Sequence, residues 1–530
     1  MKIHPVTFIA FKEFDNLGVG YLASVLSEAG YEPIVIDFNL GKGEILKILK
    51  NQKPLIVGFS VIFQYHIYEF EELISYLREG GIKCHFTVGG QYASLRYKDL
   101  FETIPSLDSI VRFEGEYTFL DLVNCIYTGK DWKDIFGIAY KSTGKLIVNP
   151  LRPIEIDLDK FPVPTRSPLK EYALGKKFAT ILAGRGCINN CSFCSVKEYY
   201  QLSGGPLKRL RKPEKLVEEM ELLHYEMDCS VFLFQDDDFP VKTQKGSEWI
   251  ERFCKSLKRK ELADKIMWKI NCRPDEVDYN SFALMKNHGL FLVFLGIEDG
   301  TDIGLARLNK HMIVAKSLKA INILKNLEIG FDYGFMPFQP STTYSAVKDN
   351  LNFLSEICDD GFTSVTFTKM MPFCATAIEK ELRKEGRLKG KPGFLDYDFP
   401  DESMNNYYEF ITDCFLQWLR APDGLLNISK WVRNYISVFS RFFELTPEIP
   451  LLTMEVRDII SESNIFFVLT LKELATLFES GKYKRNYNDL KRYRRNIKIK
   501  HDHFRERLND TMTKLLVLVQ LQRLSQPVIY

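Results

Sequence analysis

Three cysteines stand within one short segment of the chain. Cys187, Cys191 and Cys194 have the spacing Cys-x3-Cys-x2-Cys. Cysteine thiolates hold iron–sulfur clusters, usually four to a cluster. A set of three leaves one iron of a [4Fe–4S] cluster without a protein ligand, so a small molecule can bind there. Gly184 and Gly186 precede the cysteines and are expected to let the backbone bend close to a cluster.

The alternatives for these cysteines are a structural zinc site and three unconnected core residues. Structural zinc normally takes four ligands in paired spacings, and no second Cys-x2-Cys pair lies nearby to complete a site. The apolar run 178–183 precedes the segment and predicts a buried strand that delivers it. The pattern therefore favours the open cluster.

The segment resembles the signature of the radical S-adenosylmethionine (SAM) family, in which an aromatic residue such as Phe193 stands before the last cysteine. The resemblance implies three catalytic, metal-ligating cysteines and an open iron that chelates the amino and carboxylate groups of SAM. An electron from the cluster then cleaves SAM to a 5′-deoxyadenosyl radical, which abstracts hydrogen from a substrate. Phe193 is similar to the aromatic that packs near the adenine. The motif indicates the cofactor but not the reaction.

The composition is that of an ordinary globular protein. The chain has 530 residues, a formal net charge of +2 and 45% hydrophobic residues, and this length predicts about three domains. The balanced charge predicts no nucleic-acid and no membrane partner. The sequence opens without a signal peptide, has no apolar run of about 18 residues, and scatters its 11 cysteines. We therefore expect a cytoplasmic protein with reduced thiols.

Short apolar runs alternate with amphipathic stretches over residues 1 to about 145. Strands are predicted at Val6–Ala10, Pro33–Phe38, Leu55–Val61, His85–Val88 and Ser109–Phe113. The alternation is typical of an α/β fold, here a doubly wound parallel (Rossmann-like) sheet with helices on both faces. Ligands of such sheets bind outside the carboxyl ends of the strands.

This first domain resembles the cobalamin-binding domain that precedes many radical SAM enzymes. The resemblance rests on Leu17–Leu22, Gly89-Gly90 and Glu114-Gly115-Glu116. It implies a cobalamin site in the loops after the strands, with these cofactor-binding residues: Asn16, Leu17, Gly18, Ser60, Gly89, Gly90, Gln91, Glu114 and Gly115. The alternative is a flavodoxin-like module with an empty or vestigial edge.

One departure from other cobalamin proteins bears on the mechanism. Their Asp-x-His-x-x-Gly motif, which supplies a histidine to cobalt, is absent from this sequence. The nearest candidates, His66 and His85, lie elsewhere in the domain. We therefore expect no histidine ligand on the lower face of the cobalt.

A proline-rich linker over residues 146–175 leads into six predicted β-then-α units over residues 176–380. The strands of these units are predicted near 178–183, 231–235, 266–271, 291–297, 330–335 and 364–369. Repeated units of this kind favour a barrel or open barrel, with the chemistry at the carboxyl ends of the strands. Six units match the partial (β/α)6 barrel of radical SAM enzymes.

Polar residues end several of these strands. Asp236 and Asp237 follow the second strand, Arg273 the third, and Glu298 ends the fourth. The resembling family has a Phe-x-Asp-Asp-x-Phe segment, an arginine and a Gly-Ile-Glu-Ser-Gly segment at these places, which implies contacts with SAM or substrate. A guanidinium can hold a carboxylate by paired hydrogen bonds. The alternatives are a helix cap for the aspartates and a structural salt bridge for Arg273.

The last part of the chain gives weaker signals. Cys374 replaces part of a Pro-Gly pair that is common in the family. The alternatives for this cysteine are a hydrogen donor, a cluster ligand and a small core residue, of which we favour the last. Residues 386–393 are predicted to be a flexible basic turn within a mainly helical C-terminal domain over 381–530. The basic stretch 482–508 favours a solvated helix face over a patch for an acidic substrate.

We therefore expect a cobalamin-dependent radical SAM enzyme, and specifically a methyltransferase acting on an unactivated carbon of a biosynthetic intermediate through a 5′-deoxyadenosyl radical and methylcobalamin. Its cofactors would be a [4Fe–4S] cluster, SAM and cobalamin. Its partners would be a small-molecule or peptide substrate and an electron donor such as flavodoxin or ferredoxin. The rivals are a cyclase, ring-contracting or rearranging enzyme without methyl transfer, a radical SAM enzyme that has lost cobalamin, and a cobalamin sensor.

Overall fold

A seven-stranded sheet organises the N-terminal part of the computed structural model, which describes residues 5–12, 15–240, 244–484 and 487–525. Strands β1 to β7 are Pro5–Ala10, Glu32–Asp37, Ile56–Ser60, His85–Gly89, Ser109–Val111, Ile138–Ser142 and Lys145–Val148. Helices α1 to α6 are Leu17–Glu28, Lys42–Gln52, Ile67–Glu79, Gln91–Leu95, Tyr97–Thr103 and Glu116–Thr128. The spatial order is β2-β1-β3-β4-β5-β6-β7.

The first five strands are parallel, which confirms the predicted Rossmann-like sheet. The last two strands are antiparallel additions that the sequence analysis did not predict. Buried aromatic residues pack on both faces: Phe8 against Phe119 on one, and Phe59 against Phe70 and Phe86 on the other. A sheet covered on both faces leaves the carboxyl ends of its strands as the open edge for a ligand.

A second, six-stranded sheet has the order β15-β14-β13-β12-β9-β8. Strands β8 to β15 are Glu171–Ala173, Lys176–Ile181, Gly184–Gly186, Lys208–Leu210, Cys229–Phe234, Met267–Cys272, Leu290–Glu298 and Gly330–Phe335. Strands β12 to β15 run parallel, as expected for an open barrel. Strand β8 is an antiparallel addition beside β9, and β10 and β11 form a separate antiparallel hairpin.

The sixth predicted barrel strand, 364–369, is not a strand in the structure. A single parallel bridge joins Phe338 to Lys369. The Asn464 side chain accepts a hydrogen bond from the Val365 backbone N–H at 2.9 Å and donates one to the Thr363 carbonyl at 2.8 Å. Because a helix side chain satisfies these backbone groups, the segment is held without a full strand ladder.

Helices cover the second sheet and form most of the C-terminal part. Helices α7 to α13 are Val196–Leu202, Pro213–Met227, Gln244–Arg259, Tyr279–Lys286, Asp302–Arg307, Val314–Asn326 and Tyr344–Cys358. Helices α14 to α19 are Ala377–Lys384, Glu402–Cys414, Leu416–Arg420, Leu425–Phe442, Glu448–Glu479 and Tyr487–Ser525. Short 3-10 helices lie at Phe38–Leu40, Gln64–His66, Leu158–Lys160, Pro274–Glu276 and Lys482–Lys484. None of the helices described is both long and apolar enough to cross a membrane.

The basic turn predicted at 386–393 is instead part of a hairpin. Strands β16 and β17, Leu388–Lys391 and Phe394–Tyr397, pair antiparallel. Gly393, between them, has φ +87°, a conformation that glycine adopts without strain. The turn is thus ordered by its own ladder.

The chain divides into two compact units. The first unit comprises Met1–Pro168, Thr180–Glu219 and Met371–Tyr397. The second comprises Leu169–Ala179, Met220–Met370 and Asp398–Tyr530. The seven-stranded sheet and the β10–β11 hairpin belong to the first unit, and strands β12 to β15 belong to the second.

Candidate functional site

The three signature cysteines lie in the loop between β10 and α7, in the first unit, and all three are half-buried. The Cys187 sulfur accepts hydrogen bonds from the backbone N–H and the side-chain amide of Asn189, both at 3.4 Å. The Cys194 N–H donates to the Cys191 carbonyl at 3.2 Å. N–H donors directed at sulfur stabilise the thiolate form that an iron–sulfur cluster requires.

The loop fits a cluster by its donor set. Among the residues that the structure describes, no three His, Cys, Asp or Glu side chains are grouped as ligands of one metal ion. The fit therefore rests on three thiols in one short loop and on the N–H donors at Cys187. Phe193 lies between two of these cysteines and is half-buried as well.

The glycines before the cysteines serve the hairpin. A Cβ on Gly184 would lie 2.4 Å from the Arg209 carbonyl oxygen, and one on Gly186 would lie 2.0 Å from that of Leu207. Gly186 also has φ +90°. Close pairing of β10 with β11 therefore requires both glycines, whereas the sequence analysis attributed them to the approach of a cluster.

Glu114 of the β5–α6 loop and Glu116, the first residue of α6, hold this hairpin through its arginines. Arg185 lies 3.2 Å from Glu114 and 2.7 Å from Glu116, and Arg209 also donates to Glu114. All four side chains are largely buried. Burial alone would raise the pKa of the Glu114 carboxyl, but the hydrogen bond from Arg209 and the charge of Arg185 hold that pKa below its ordinary value.

The side chain of Glu114 thus binds protein groups, although the resemblance implied a cofactor contact. Each arginine lies far from Glu114 in sequence, so the sequence pattern gave no sign of these pairs. Arg185 stands two residues before Cys187. The loop at the end of β5 therefore anchors the strand that leads into the cysteine loop.

The other residues of the predicted cobalamin site lie at the ends of neighbouring strands. Asn16 caps α1 after β1, Ser60 ends β3, Gly89 ends β4 and is followed by Gly90 and Gln91, and Gly115 follows β5. Because β1, β3, β4 and β5 are adjacent and parallel, these residues share one edge of the sheet, which we call the corrinoid edge. Gly18 is exposed, whereas Leu17 is buried.

Two features shape the corrinoid edge at β4. Gly90 has φ +114°, and a Cβ there would lie 2.5 Å from the Val61 carbonyl oxygen, so only glycine fits. The Gln91 side-chain amide donates to the Ser195 hydroxyl at 3.1 Å. Since Ser195 directly follows Cys194, this hydrogen bond joins the corrinoid edge to the cysteine loop within one unit.

An apolar surface beside Ser60 was not among the cofactor-binding residues predicted from the sequence. Ile62 and Phe63 are 37% and 46% exposed, and the Phe63 ring stacks on Tyr65 with centroids 5.3 Å apart. Large apolar side chains are rarely left exposed together without a partner. Two such residues directly after a strand of an α/β sheet are the signal that could have identified them.

The two histidines discussed for cobalt occupy different places. His85 opens β4, at the strand end opposite Gly89, and its Nε2 lies 2.8 Å from the Ser109 hydroxyl. Burial lowers the pKa of His85 to about 4. His66 follows β3, its Nδ1 lies 3.2 Å from Glu69, and its ring packs on Phe11. Only His66 lies near the corrinoid edge, and it already contacts a carboxylate.

In the second unit, Glu298 is held in an unusual conformation at the end of β14. Its φ is +71°, and Lys310 donates to its Oε1 at 3.3 Å. A Cβ on Gly296 would lie 2.9 Å from both the Glu298 Oε1 and the Lys310 Nζ, and one on Gly334 would lie 3.1 Å from the Glu298 Oε2. The two glycines leave room for this carboxylate over the sheet. The backbone strain marks Glu298 as a functional candidate.

Arg273 supports the pair formed by Glu298 and Lys310. Its Nε donates to Asp275 at 2.8 Å, and its Nη2 donates to the Lys310 carbonyl oxygen. The guanidinium is buried and bound to protein groups, so it matches the structural salt bridge that the sequence left open. Lys310 thereby connects Arg273 to Glu298.

The aspartates after β12 do not share one environment. Asp236 and Asp238 are buried, whereas Asp237 is exposed. The Asn271 side chain donates to the Asp236 carbonyl oxygen at 3.2 Å. Of the two predicted contacts, Asp236 and Asp237, only Asp237 is therefore exposed.

Cys374 is buried in the core of the first unit. Its backbone N–H donates to the Gln64 side chain at 2.8 Å, and burial raises the pKa of its thiol to about 12. A thiol that stays protonated at neutral pH is a poor iron ligand. The placement favours the small core residue.

Comparisons with known proteins agree with both halves of this architecture. Residues 5–123 match the B12 binding domain, and residues 181–354 match the radical SAM superfamily. An uncharacterized methyltransferase of Pyrococcus horikoshii is 28% identical over 370 residues, 68% of this chain and 77% of the relative. The anaerobic magnesium-protoporphyrin IX monomethyl ester cyclase of Rubrivivax gelatinosus is 29% identical over 430 residues, 76% of this chain and 75% of the relative.

The fold is similar to that of a solved radical enzyme. The structure of the cobalamin-dependent SAM radical enzyme OxsB, with aqua-cobalamin and SAM bound, superposes with a TM-score of 0.71 at 18% identity. The match covers 97% of this chain and 84% of the OxsB chain. The likeness includes the sheet of the first unit, the open-barrel sheet and the helical C-terminal part. With its B12-binding domain followed by a radical SAM domain, the chain belongs to the cobalamin-dependent radical SAM enzymes.

Proposed function

We propose that the enzyme is a methyltransferase that moves a methyl group from SAM, by way of cobalamin, to an unactivated carbon of a small-molecule substrate. The observation that carries the proposal is the connection, within one unit, of the cysteine loop to the corrinoid edge. Gln91 bonds Ser195, and Glu114 and Glu116 bind Arg185. An enzyme that uses both cofactors on one substrate needs them held in a fixed relation.

The cofactors would supply the chemistry and the chain would hold and orient them. We propose Cys187, Cys191 and Cys194 as cluster ligands, with Phe193 beside the adenine of SAM. When bound, the cluster supplies the electron that cleaves SAM, and the corrinoid carries the methyl group. Glu298 would bind SAM through the carboxylate oxygen that Lys310 leaves open.

The remaining predicted residues would either contact a cofactor or substrate or position other groups. The corrinoid would contact Asn16, Leu17, Gly18, Ser60, Gly89, Gly90, Gln91 and Gly115. Glu114 and Arg273 would act as positioning residues, because each binds protein groups. Asp237 would contact SAM or substrate, and Asp236 would shape its loop.

We also propose the limits of the domains and the class of the electron donor. The domain limits are 1–145 for cobalamin binding, 146–175 for the linker, 176–380 for the partial barrel and 381–530 for the helical domain. The electron would come from a reduced carrier such as flavodoxin or ferredoxin.

A second candidate function is a radical cyclisation without methyl transfer. It is favoured by the Rubrivivax gelatinosus cyclase, which aligns with a larger share of this chain than the Pyrococcus methyltransferase does. A cyclase of this kind would consume SAM only as a radical source. The two candidates therefore differ in the products they leave from SAM.

The test begins with anaerobic reconstitution of the full chain with iron, sulfide and hydroxocobalamin. We expect a brown protein with about four irons per chain that forms both 5′-deoxyadenosine and S-adenosylhomocysteine from SAM under reducing conditions. The Cys191→Ala variant should lose iron and deoxyadenosine formation, whereas Cys125→Ala, at a half-buried cysteine of α6, should keep both. Deoxyadenosine without S-adenosylhomocysteine would favour the cyclase, and activity in a colourless, zinc-loaded protein would end both proposals.

A further inference from the structure

The open-barrel sheet of the second unit has two unlike faces. Residues paired in register on parallel strands lie on the same face, so Asn271 of β13, Phe294 of β14 and Asp332 of β15 share one face. Lys269 lies on that face two residues before Asn271. The opposite face, which includes Trp268, is fully buried. We call the first face the open face.

Side chains on the open face remain partly accessible in the middle of the sheet. Phe294 is 36% exposed, although β14 has a strand on either side. On β15, Gly330 and Gly334 flank Asp332 on this face and carry no side chain. A central strand with an exposed aromatic ring and glycine neighbours lines a space that a ligand can enter.

The charges on this face are unbalanced. Asp332 is the acceptor of an ion pair with Arg433 of α17 at 2.8 Å, and both side chains are only 16% exposed. Lys269 of β13 and Lys430 of α17 also act on Asp332. Neither lysine has a hydrogen bond or ion pair within the described residues. Apart from the Glu298–Lys310 pair near Gly334, three cations thus act on the one carboxylate of Asp332.

The charge of Lys430 also bears on the protonation of Lys269. Burial lowers the pKa of Lys269, Asp332 opposes that change, and the charge of Lys430 adds to it. The Lys269 Nζ lies 5.7 Å from the centre of the Phe294 ring. One carboxylate offsets only part of this partly buried positive charge, so an incoming anion would gain from binding here.

We propose that the open face binds the substrate through an anionic group, a carboxylate or a phosphate, held by Lys269 and Lys430, with Phe294 against the apolar part of the molecule. Asp332 keeps Arg433 in place, and the charge of this guanidinium offsets the repulsion between Asp332 and the anion. The inference rests on the proposed function, since it takes the open barrel as the place where substrate binds.

Pyridoxal 5′-phosphate is a suitable probe, because it joins a phosphate to an aldehyde that reacts with lysine. The amine adds to the carbonyl and releases water, and cyanoborohydride then reduces the imine to a stable secondary amine. In the reconstituted holoenzyme we expect peptide mass spectrometry to find this label on Lys269 or Lys430 before it appears on exposed Lys42. Inorganic pyrophosphate at about ten times its Kd should reduce that labelling about tenfold.

Pyridoxal without the phosphate provides the matched control and should show no preference for these lysines. Lys269→Met should also reduce labelling of Lys430 by the phosphorylated probe, because half of the anion site is gone. Equal labelling by both probes, or labelling that pyrophosphate does not reduce, would overturn the proposal. The labelling requires no SAM cleavage, so its failure is distinguishable from a failure of the methyltransferase assignment.

Discussion

Arg185 lies 2.7 Å from Glu116, and this ion pair joins the strand that leads into the cysteine loop to the first residue of α6. The Arg185 guanidinium also lies 4.9 Å from the centre of the Tyr21 ring. A salt bridge and a cation–π contact therefore fix one side chain two residues before Cys187. The cluster loop is held from the cobalamin-binding part of its own unit.

The first prediction concerns this ion pair. Arg185→Met leaves Glu114 and Glu116 with less compensation in a largely buried place, so we expect the first unit to lose about 3–5 kcal/mol of stability. Hydrogen exchange of the β10 and β11 amides should show the loss. Lys42→Met, which removes an exposed ion pair with Glu72, should leave stability nearly unchanged, because solvent screens exposed ion pairs. Unchanged exchange in Arg185→Met would contradict the anchoring role.

The second prediction concerns the space around Glu298. In Gly296→Ala, the new Cβ would lie 2.9 Å from the Glu298 Oε1 and the Lys310 Nζ, the mobile ends of two side chains. The chain can fold around this change, but the ion pair must move. We expect SAM to bind about tenfold more weakly, since a hydrogen bond to a charged group contributes about 1.5–3 kcal/mol.

Equilibrium dialysis with radiolabelled SAM measures this affinity. Gly43→Ala is the matched control, because its Cβ would meet no atom within 4 Å. Wild-type affinity for SAM in Gly296→Ala would exclude Glu298 from the SAM site. Weaker binding in both variants would point to a general loss of folding.

The third prediction concerns the pH dependence of stability. His85 is held neutral by burial, with a pKa of about 4 against an ordinary value of 6.5. The unfolded chain therefore binds an extra proton below pH 6.5, so stability is full above about pH 6.5 and falls as the pH drops towards 4. Urea unfolding at pH 7.5 and pH 5 should show this loss. His85→Gln should reduce it, and an equal loss in wild type and His85→Gln would contradict the assignment.

The fourth prediction concerns Cys374. Because burial keeps its thiol protonated, Cys374→Ala should retain the full iron content and the cluster absorbance after reconstitution. We expect a loss of stability of about 1 kcal/mol from the small cavity. Cys194→Ala, treated in parallel, should lose the cluster. Loss of iron in Cys374→Ala would make this cysteine a fourth ligand.

Local patterns in the sequence predicted most of the fold. The five parallel strands of the first sheet fall within about two residues of the predicted ends, because each is a short apolar run between turn residues. The strand expected at 364–369 was wrong, since Asn464 satisfies the backbone there from nearly a hundred residues away. A single-sequence pattern cannot contain that contact.

In the candidate site, too, local features were predictable from the sequence and contacts between distant residues were not. The cysteine spacing is local and identified the loop between β10 and α7 directly. The protein partners of Glu114 and Arg273 are set by tertiary contacts, so sequence similarity could not predict them. Ile62 and Phe63 were not predicted as site residues, because their exposure depends on which other parts of the chain pack against them.

The most direct test of the account follows the methyl group of SAM. The reduced holoenzyme is given SAM with a trideuterated methyl group, and the bound corrinoid and the SAM products are recovered by mass spectrometry after one turnover. We predict trideuterated methyl on the corrinoid and S-adenosylhomocysteine in equal amount. A control without corrinoid, run in parallel, should transfer no label. Deoxyadenosine formation with an unlabelled corrinoid and no S-adenosylhomocysteine would contradict methyl transfer by this enzyme.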